Sequence, residues 1–450
     1  MKFNKVENKK ENKRNEIKIE FDKNMKNQLF NSLQEFETLF FFDSNDYYES
    51  SLIKKKYDII VSIGKIEEFT YSDIFFEDLN TFTNKQNDWI FGYFSYEIKN
   101  KIENSDSSKH DFLQFPEVLF FRPEIVITIK NSQASFLYYN HITNKKSVEK
   151  IISEFQNYEF KKSEKFKSEV KIKSVISEKE YLQATSSILK HIKRGDIYEA
   201  NYCFEFSDSN AEITAHEVFL KLNEISPSPF AVYLKDNNKF LISSSPERFL
   251  KKTGNKIFAQ PMKGTAKRSQ NLSEDQYLSK ELSTNTKERA ENIMIVDLLR
   301  NDLSKIATRK SVKVAELCKV YKFKNVFQMI STIEAEIEKN KSFSDILKAT
   351  FPPGSMTGAP KIRAIQIIEE YEKSRRGLYS GSVGFVEPNG DFDFNVVIRS
   401  ILYNSENNYL SFSVGSAITA NSDLSKEYQE CLLKAKSMLQ VFQTDISKLQ

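Results

Sequence analysis

Two pairs of glutamates in this chain have the spacing of a metal or acid site. Glu288 and Glu291 are three residues apart, and so are Glu427 and Glu430. In a helix, residues at i and i+3 share a face. The face of Glu291 continues into Ile295, Leu299 and Asp302, and that of Glu427 into Cys431, Ala435 and Met438. The carboxylates therefore lie in line with apolar stripes. A carboxylate drawn into an apolar face must be paired or bind a cation. Two such helices meeting at one cleft would offer hard oxygen ligands suited to Mg2+, which keeps open positions for water and substrate. Ordinary surface glutamate is the alternative.

Four further segments carry chemistry-bearing residues. In ISSSPERF (242–249) an apolar strand ends in serines, a proline and then Glu247. A carboxyl half withdrawn from water has a raised pKa and can act as a general acid; a solvent-facing turn is the alternative. In QPMKGT (260–265) Lys263 sits among Pro261, Met262 and Gly264. An apolar setting, or a cation such as Arg268, would make that lysine neutral and nucleophilic; a snorkelling surface lysine is the alternative. FPPGSMTGAPKIR (351–363) opens onto a helix, and backbone N–H groups at such an entry bind anions. DFDFNVVIR (391–399) alternates, with Asp393, Asn395, Val397 and Arg399 on one face. An arginine there can hold a carboxylate bidentately, and Gly415 in VGSAIT could offer close backbone donors.

The elements that position these residues can be read coarsely. SEKEYLQATSSILKHIKRGD (177–196) is a capped helix with a Ser start and a Gly stop. Helices are also predicted over 288–303, over 361–377 ending at Gly377, and over 424–442. Strands are predicted over 38–46, 88–98, 118–129, 198–208, 378–388, 390–403 and 409–418. Runs of strands with interleaved single helices indicate an α+β class, a large mixed domain. The organisation is a polar tail at 1–20, a lobe at 21–160, a lysine-rich linker or edge strand at 161–176, and a main domain at 177–442.

Composition removes other classes. The chain has 450 residues, with 37 Phe and 20 Tyr, enough for a large core. Net charge is +4 and spread along the chain, which gives no nucleic-acid footprint. No apolar run is long enough to span a bilayer. Three separate cysteines indicate a reducing cytoplasm. There is no GxGxxG and no GxxxxGK[ST] phosphate loop. Only 12 glycines occur, ten of them from Gly195 onward. Constrained backbone therefore concentrates in the second half.

Taken together, GDIYEANY, SSSPERF, PMKGTAKR, KERAENIMIVDLLRNDL, FPPGSMTGAPKIRA, GSVGF…GDFDFNVVIR, GSAI and KEYQECLLKA resemble, in order, the chorismate-utilising enzymes. That family includes anthranilate, aminodeoxychorismate, isochorismate and salicylate synthases. The resemblance covers about 177–440 and, more loosely, an amino-terminal lobe at FFDSND, WIFGYFSYE and FPEVLFFRP. It implies the anthranilate synthase component I type of fold, with β-sheets inside and helices packed outside.

The resemblance also implies roles. Glu291 and Glu430 would bind Mg2+, with Glu288 and Glu427 supporting them through water. Glu247 would protonate the departing C4 hydroxyl of chorismate. Arg399, Gly415, Lys434 and Thr265 would meet the substrate, and Thr357, Gly358 and Ala359 its ring. Lys263 separates the branches: anthranilate synthases usually carry alanine there, and the aminodeoxychorismate branch a lysine that attacks C2. The implied product is 4-amino-4-deoxychorismate, the precursor of p-aminobenzoate for folate; anthranilate is the alternative. Glu199 departs from the glutamine usual in amino-transferring members and from the lysine base of those that add water. Ala417 replaces a glycine at which φ > 0 is expected. No cysteine lies in a Gly-x-Cys-x-Gly setting, so ammonia would come from a separate glutamine amidotransferase subunit or from solution.

Overall fold

The computed structural model describes residues 13–45, 56–85, 87–103, 107, 109–159, 170–323 and 326–444. The first twelve residues of the tail, Asp46 of FFDSND and 161–169 of the lysine-rich stretch lie outside the described residues. The fold is α+β, built on two large antiparallel sheets.

The larger sheet has twelve strands among the described residues. Its path runs Asn15–Glu20, Gln133–Tyr138, Ile125–Lys130, Ile59–Ile63, Thr38–Asp43, Phe230–Asp236, Lys239–Ser245, Ser400–Asn404, Tyr409–Thr419, Glu199–Asp208, Gly358–Ala359. Lys173–Ser174 pairs beside it, on Glu199–Asp208. The second sheet has ten and runs Met262–Lys267, Val326–Glu336, Lys256–Gln260, Arg248–Thr253, Phe392–Val396, Ser382–Val386, Ile90–Phe94, Val118–Arg122, Glu67–Glu68. Lys313–Lys322 pairs with Val326–Glu336. Strands from before residue 160 and after residue 177 share both sheets.

Alternation along the strands sorts side chains into two cores. Leu39, Phe41, Ile59, Val61 and Ile127 face one core with the helices Glu178–Arg194, Ala215–Ile225 and Leu424–Val441. Phe40, Phe42, Ile60 and Val126, from the same strands, face the other core with Phe91, Phe94 and Phe394 of the second sheet. The larger sheet is thus covered on both faces, which is why TLFFFD reads as an unbroken apolar run. No described helix is long and apolar enough to cross a membrane.

Several expected boundaries are corrected. Asn15–Glu20, inside the stretch read as a tail, pairs as a strand with Gln133–Tyr138 and packs Ile17 and Ile19 on the core. The run 118–129 is two strands, broken at Pro123 and lying in different sheets. The strand in 88–98 stops at Phe94 and gives way to a 3-10 turn, Tyr96–Ile98. The run 390–403 is also two strands: Phe392–Val396 in the second sheet and Ser400–Asn404 in the first. The predicted alternation therefore ends before Arg399, which sits in the crossover at φ 49°. The helix predicted over 361–377 ends at Tyr371. Glu372 leaves it extended because its carboxylate is claimed elsewhere: it accepts from Arg376 Nη2 at 2.6 Å and from the Cys203 amide at 2.8 Å. Arg376 also donates to the carbonyls of Met356 at 2.7 Å and Asn201 at 2.8 Å. Buried charge-assisted bonds of this kind outweigh one more helical turn.

Candidate active site

The chain crosses between the sheets twice at one place. Lys239–Ser245 leads through Pro246 and Glu247 into Arg248–Thr253, and Phe392–Val396 leads through Val397–Arg399 into Ser400–Asn404. The crossings are tied together. The Val396 amide donates to the Glu247 carbonyl at 3.0 Å, and Ser245 Oγ donates to the Val396 carbonyl at 2.6 Å. Arg248 anchors the first crossing through a two-point pair with Asp393, at 2.8 and 3.0 Å.

Glu247 is buried at this junction rather than turned to solvent. Burial pushes its pKa up to about 7, against the opposing pull of a Ser355 hydrogen bond and the charges of Lys263, Arg399 and Lys434. A carboxyl so poised exchanges a proton near neutrality. Arg399, on the second crossing, has its pKa lowered by burial, with Glu247 opposing.

Lys263 lies on Met262–Lys267, in the second sheet, and its Nζ meets Glu199 Oε1 of the first sheet at 3.0 Å. A β-bulge aims it: Lys263 pairs with Met329 and Thr265 with Gln328, leaving Gly264 as the extra residue at φ 72°. Thr265 is exposed and braces the bulge, donating to Gln328 Oε1 at 2.9 Å while Gln328 Nε2 donates to the Gly264 carbonyl at 2.8 Å. The expectation of a neutral lysine is corrected. Burial does oppose the charge, but Glu199, Glu291 and Glu430 outweigh it and push the pKa up. Arg268 is engaged elsewhere, with Asp275 at 2.7 Å.

Gly358–Ala359 pairs with Glu199 and Ala200 at the end of the larger sheet. A methyl group on Gly358 would come within 2.0 Å of the Glu199 carbonyl, so this approach requires glycine. Thr357 is fully buried, and its carbonyl accepts from the Asn201 amide at 2.7 Å. Gly415 lies opposite Cys203 in the adjacent pairing, and its carbonyl accepts from Lys434 Nζ at 2.9 Å. Ala417 pairs with Asn201 in regular strand and is not at positive φ, so the crowding expected there does not arise.

The glutamate couplets come from the helices Thr286–Ser304 and Leu424–Val441. Both apolar faces are buried as expected: Glu291, Ile295, Leu299 and Asp302 on one, Glu427, Cys431, Ala435 and Met438 on the other. Lys287 joins the helices, with its Nζ 2.8 Å from Glu427 and 3.7 Å from Glu291. Lys434 holds Glu430 at 2.8 Å and, with burial opposing, keeps its pKa low. Burial pushes Glu291 up to about 7 and raises Glu288, which also feels Glu430. Glu291 Oε1 is buried without a hydrogen-bond partner among the described residues.

As these side chains stand, no three metal-ligating groups among the described residues converge on one point. The donor chemistry nevertheless fits a hard divalent cation: four carboxylates, one buried oxygen without a hydrogen bond, and an ammonium already attracted between two of them.

Sequence reasoning missed two participants. Ser355 binds Glu247 from inside the GSMTG turn, and Lys287 lies one residue before the first couplet, four before Glu291. The i,i+4 spacing of Lys287 and Glu291 was the available signal.

Residues 37–440 match the chorismate binding enzyme family. An anthranilate synthase component I-like protein of Synechocystis is 34% identical over 352 residues, which cover 78% of this chain and 72% of that protein. Aminodeoxychorismate synthase component 1 of Bacillus subtilis is 31% identical, over 81% of this chain and 79% of its own length. The crystal structure of anthranilate synthase component I from Streptococcus pneumoniae superposes with a TM-score of 0.75 at 23% identity, covering 84% of this chain and 91% of that one. That likeness establishes the fold. With a match spanning most of its length and a fold to go with it, this chain belongs to the chorismate binding enzyme family.

Proposed function

We propose that the chain is the chorismate-aminating component of an aminodeoxychorismate synthase, turning chorismate and ammonia into 4-amino-4-deoxychorismate. The observation that carries this reading is Lys263, set against Glu199 beside a buried Glu247 whose pKa is about 7. Nζ would attack C2 of the ring as the C4 hydroxyl leaves, protonated by Glu247; ammonia would then add at C4 and expel the lysine. Arg399 and Lys434 would bring positive charge to the carboxylates of the substrate, and the backbone near Gly415 would offer N–H donors. Thr357, Gly358 and Ala359 would form the wall against the ring.

Glu291 and Glu430 would hold Mg2+, with Glu288 and Glu427 behind them through water. Bound there, the metal would neutralise a substrate carboxylate.

Ammonia would come from a partner glutamine amidotransferase or from solution. The Bacillus relative is named as a component 1, which implies a second component. This chain's three cysteines are buried, unlike a glutaminase nucleophile, and free, which suits a reducing cytoplasm. The competing reading is anthranilate synthesis; the Synechocystis relative is named as anthranilate synthase component I-like.

Lys263→Ala tests the covalent step. The variant should lose amination by about 100-fold or more and show no substrate adduct by intact-protein mass spectrometry. Near-normal turnover would remove the nucleophilic lysine from the account.

A further inference from the structure

Glu199 begins the strand Glu199–Asp208 and has no exposed surface. Its Oε1 accepts from Lys263 Nζ at 3.0 Å. Its Oε2 is buried with no hydrogen-bond partner among the described residues. An oxygen left unsatisfied in the interior costs stability, and a role in the reaction is one reason for a chain to keep it.

A lysine that attacks carbon must first lose an ammonium proton. The charged groups that face Lys263 are Glu199 from the larger sheet, Glu288, Glu291 and Glu430 from the two helices, and Glu247 from the crossover. Glu247 is the proton donor to the leaving hydroxyl. Glu291 and Glu430 are the proposed cation ligands, and Glu288 stands behind them through water. Among the described residues, Glu199 alone is in hydrogen-bond contact with Nζ, and it has an oxygen to spare.

We infer that Glu199 is the proton acceptor for Lys263, holding it as an ammonium at rest and taking one proton as Nζ bonds to C2. The inference rests on the lysine-adduct reading above. One N–H bond of the ammonium breaks and its proton goes to the Glu199 carboxylate. The freed electron pair forms the Nζ–C2 bond, the two ring double bonds shift, and the C4–O bond breaks. The oxygen takes the Glu247 proton and leaves as water. When ammonia adds at C4, the double bonds shift back and the Nζ–C2 bond breaks. Lys263 recovers its proton from Glu199, and the new C4 ammonium gives one to the Glu247 carboxylate. The sum is chorismate plus ammonia going to the amine plus water.

The test is the rate of adduct formation on the full chain mixed with chorismate and Mg2+ without ammonia, from neutral to alkaline pH. Glu199→Gln, with its folding checked by melting, should form the adduct roughly 100-fold more slowly at neutral pH. Its rate relative to that of the natural chain at the same pH, a ratio in which the falling Glu247 limb cancels, should climb with pH as solvent hydroxide takes over, and Glu199→Asp should restore at least about tenfold. A purely structural ion pair would not give that pH dependence. An adduct that Glu199→Gln forms as fast as the natural chain overturns the role of Glu199 and leaves the lysine reading intact. So does a slow rate that keeps a constant ratio to that of the natural chain across the pH range. No adduct in the natural chain overturns the lysine reading, and the inference with it.

Discussion

Glu247 illustrates how one side chain sets both pH behaviour and stability. Its carboxyl is raised to about 7 chiefly by burial, so the acid form is available below that pH and lost above it. Amination should therefore fall as pH rises through about 7 on the limb set by this group. Glu247→Gln should remove that limb and lower kcat roughly 100- to 10,000-fold. The linkage sign follows from the same shift. A folded-state pKa above the unfolded value of about 4.3 adds stability at low pH that is lost as pH rises through about 7. Glu247→Gln should accordingly gain in melting temperature relative to the natural chain at pH 8, compared with pH 5. Equal differences at the two pH values would contradict the buried carboxyl. Lys263 shows where residue-level reading of the sequence stops. The segment QPMKGT displays only apolar neighbours and Arg268, and from these a neutral amine is inferred. The dominant charge is Glu199, 64 residues earlier and in the other sheet. Only tertiary structure brings it within 3.0 Å.

At the scale of elements, the two glutamate-bearing helices are held in register by Lys287, which spans Glu427 and Glu291. Those carboxylates are buried and need a counter-charge. Lys287→Met should lower the melting temperature of the metal-free chain and enlarge the rise that Mg2+ produces, because the cation no longer competes with an ammonium. A rise equal to that of the natural chain would contradict a Mg2+ site between these helices. The strand Gly358–Ala359 makes a second element-level demand. Gly358→Ala would drive a methyl into the Glu199 carbonyl and should cost about 1–3 kcal/mol in urea unfolding. An unchanged midpoint would show that the pairing yields easily. Helices were the legible elements: Ser177 with Glu180 forms a capping box, Gly195 ends the helix at φ 89°, and both carboxylate faces follow the 3.6-residue period. Strand ends were less legible. No glycine or proline marks the crossover at Val397–Arg399, so the run 390–403 reads as continuous. It breaks because the two sheets compete for its halves.

The whole molecule is two sheets packed face to face over a shared core, and neither sheet belongs to one part of the sequence. Thr38–Asp43 pairs with Phe230–Asp236, and Ile90–Phe94 pairs with Ser382–Val386. Recognisable motifs cluster after residue 177, which makes that part look self-sufficient. Pairing between distant segments carries no local signal, so the shared sheets could not be read in advance. A fragment covering 170–444 would expose two long strand edges and apolar faces, and it should aggregate or fail to unfold cooperatively. A monomeric fragment with a sharp unfolding transition would contradict that dependence. The central claim concerns what the assembled site makes, and product analysis tests it most directly. Purified chain incubated with chorismate, Mg2+ and ammonium at alkaline pH should yield 4-amino-4-deoxychorismate as the main product by mass. Fluorescent anthranilate as the main product would contradict the account.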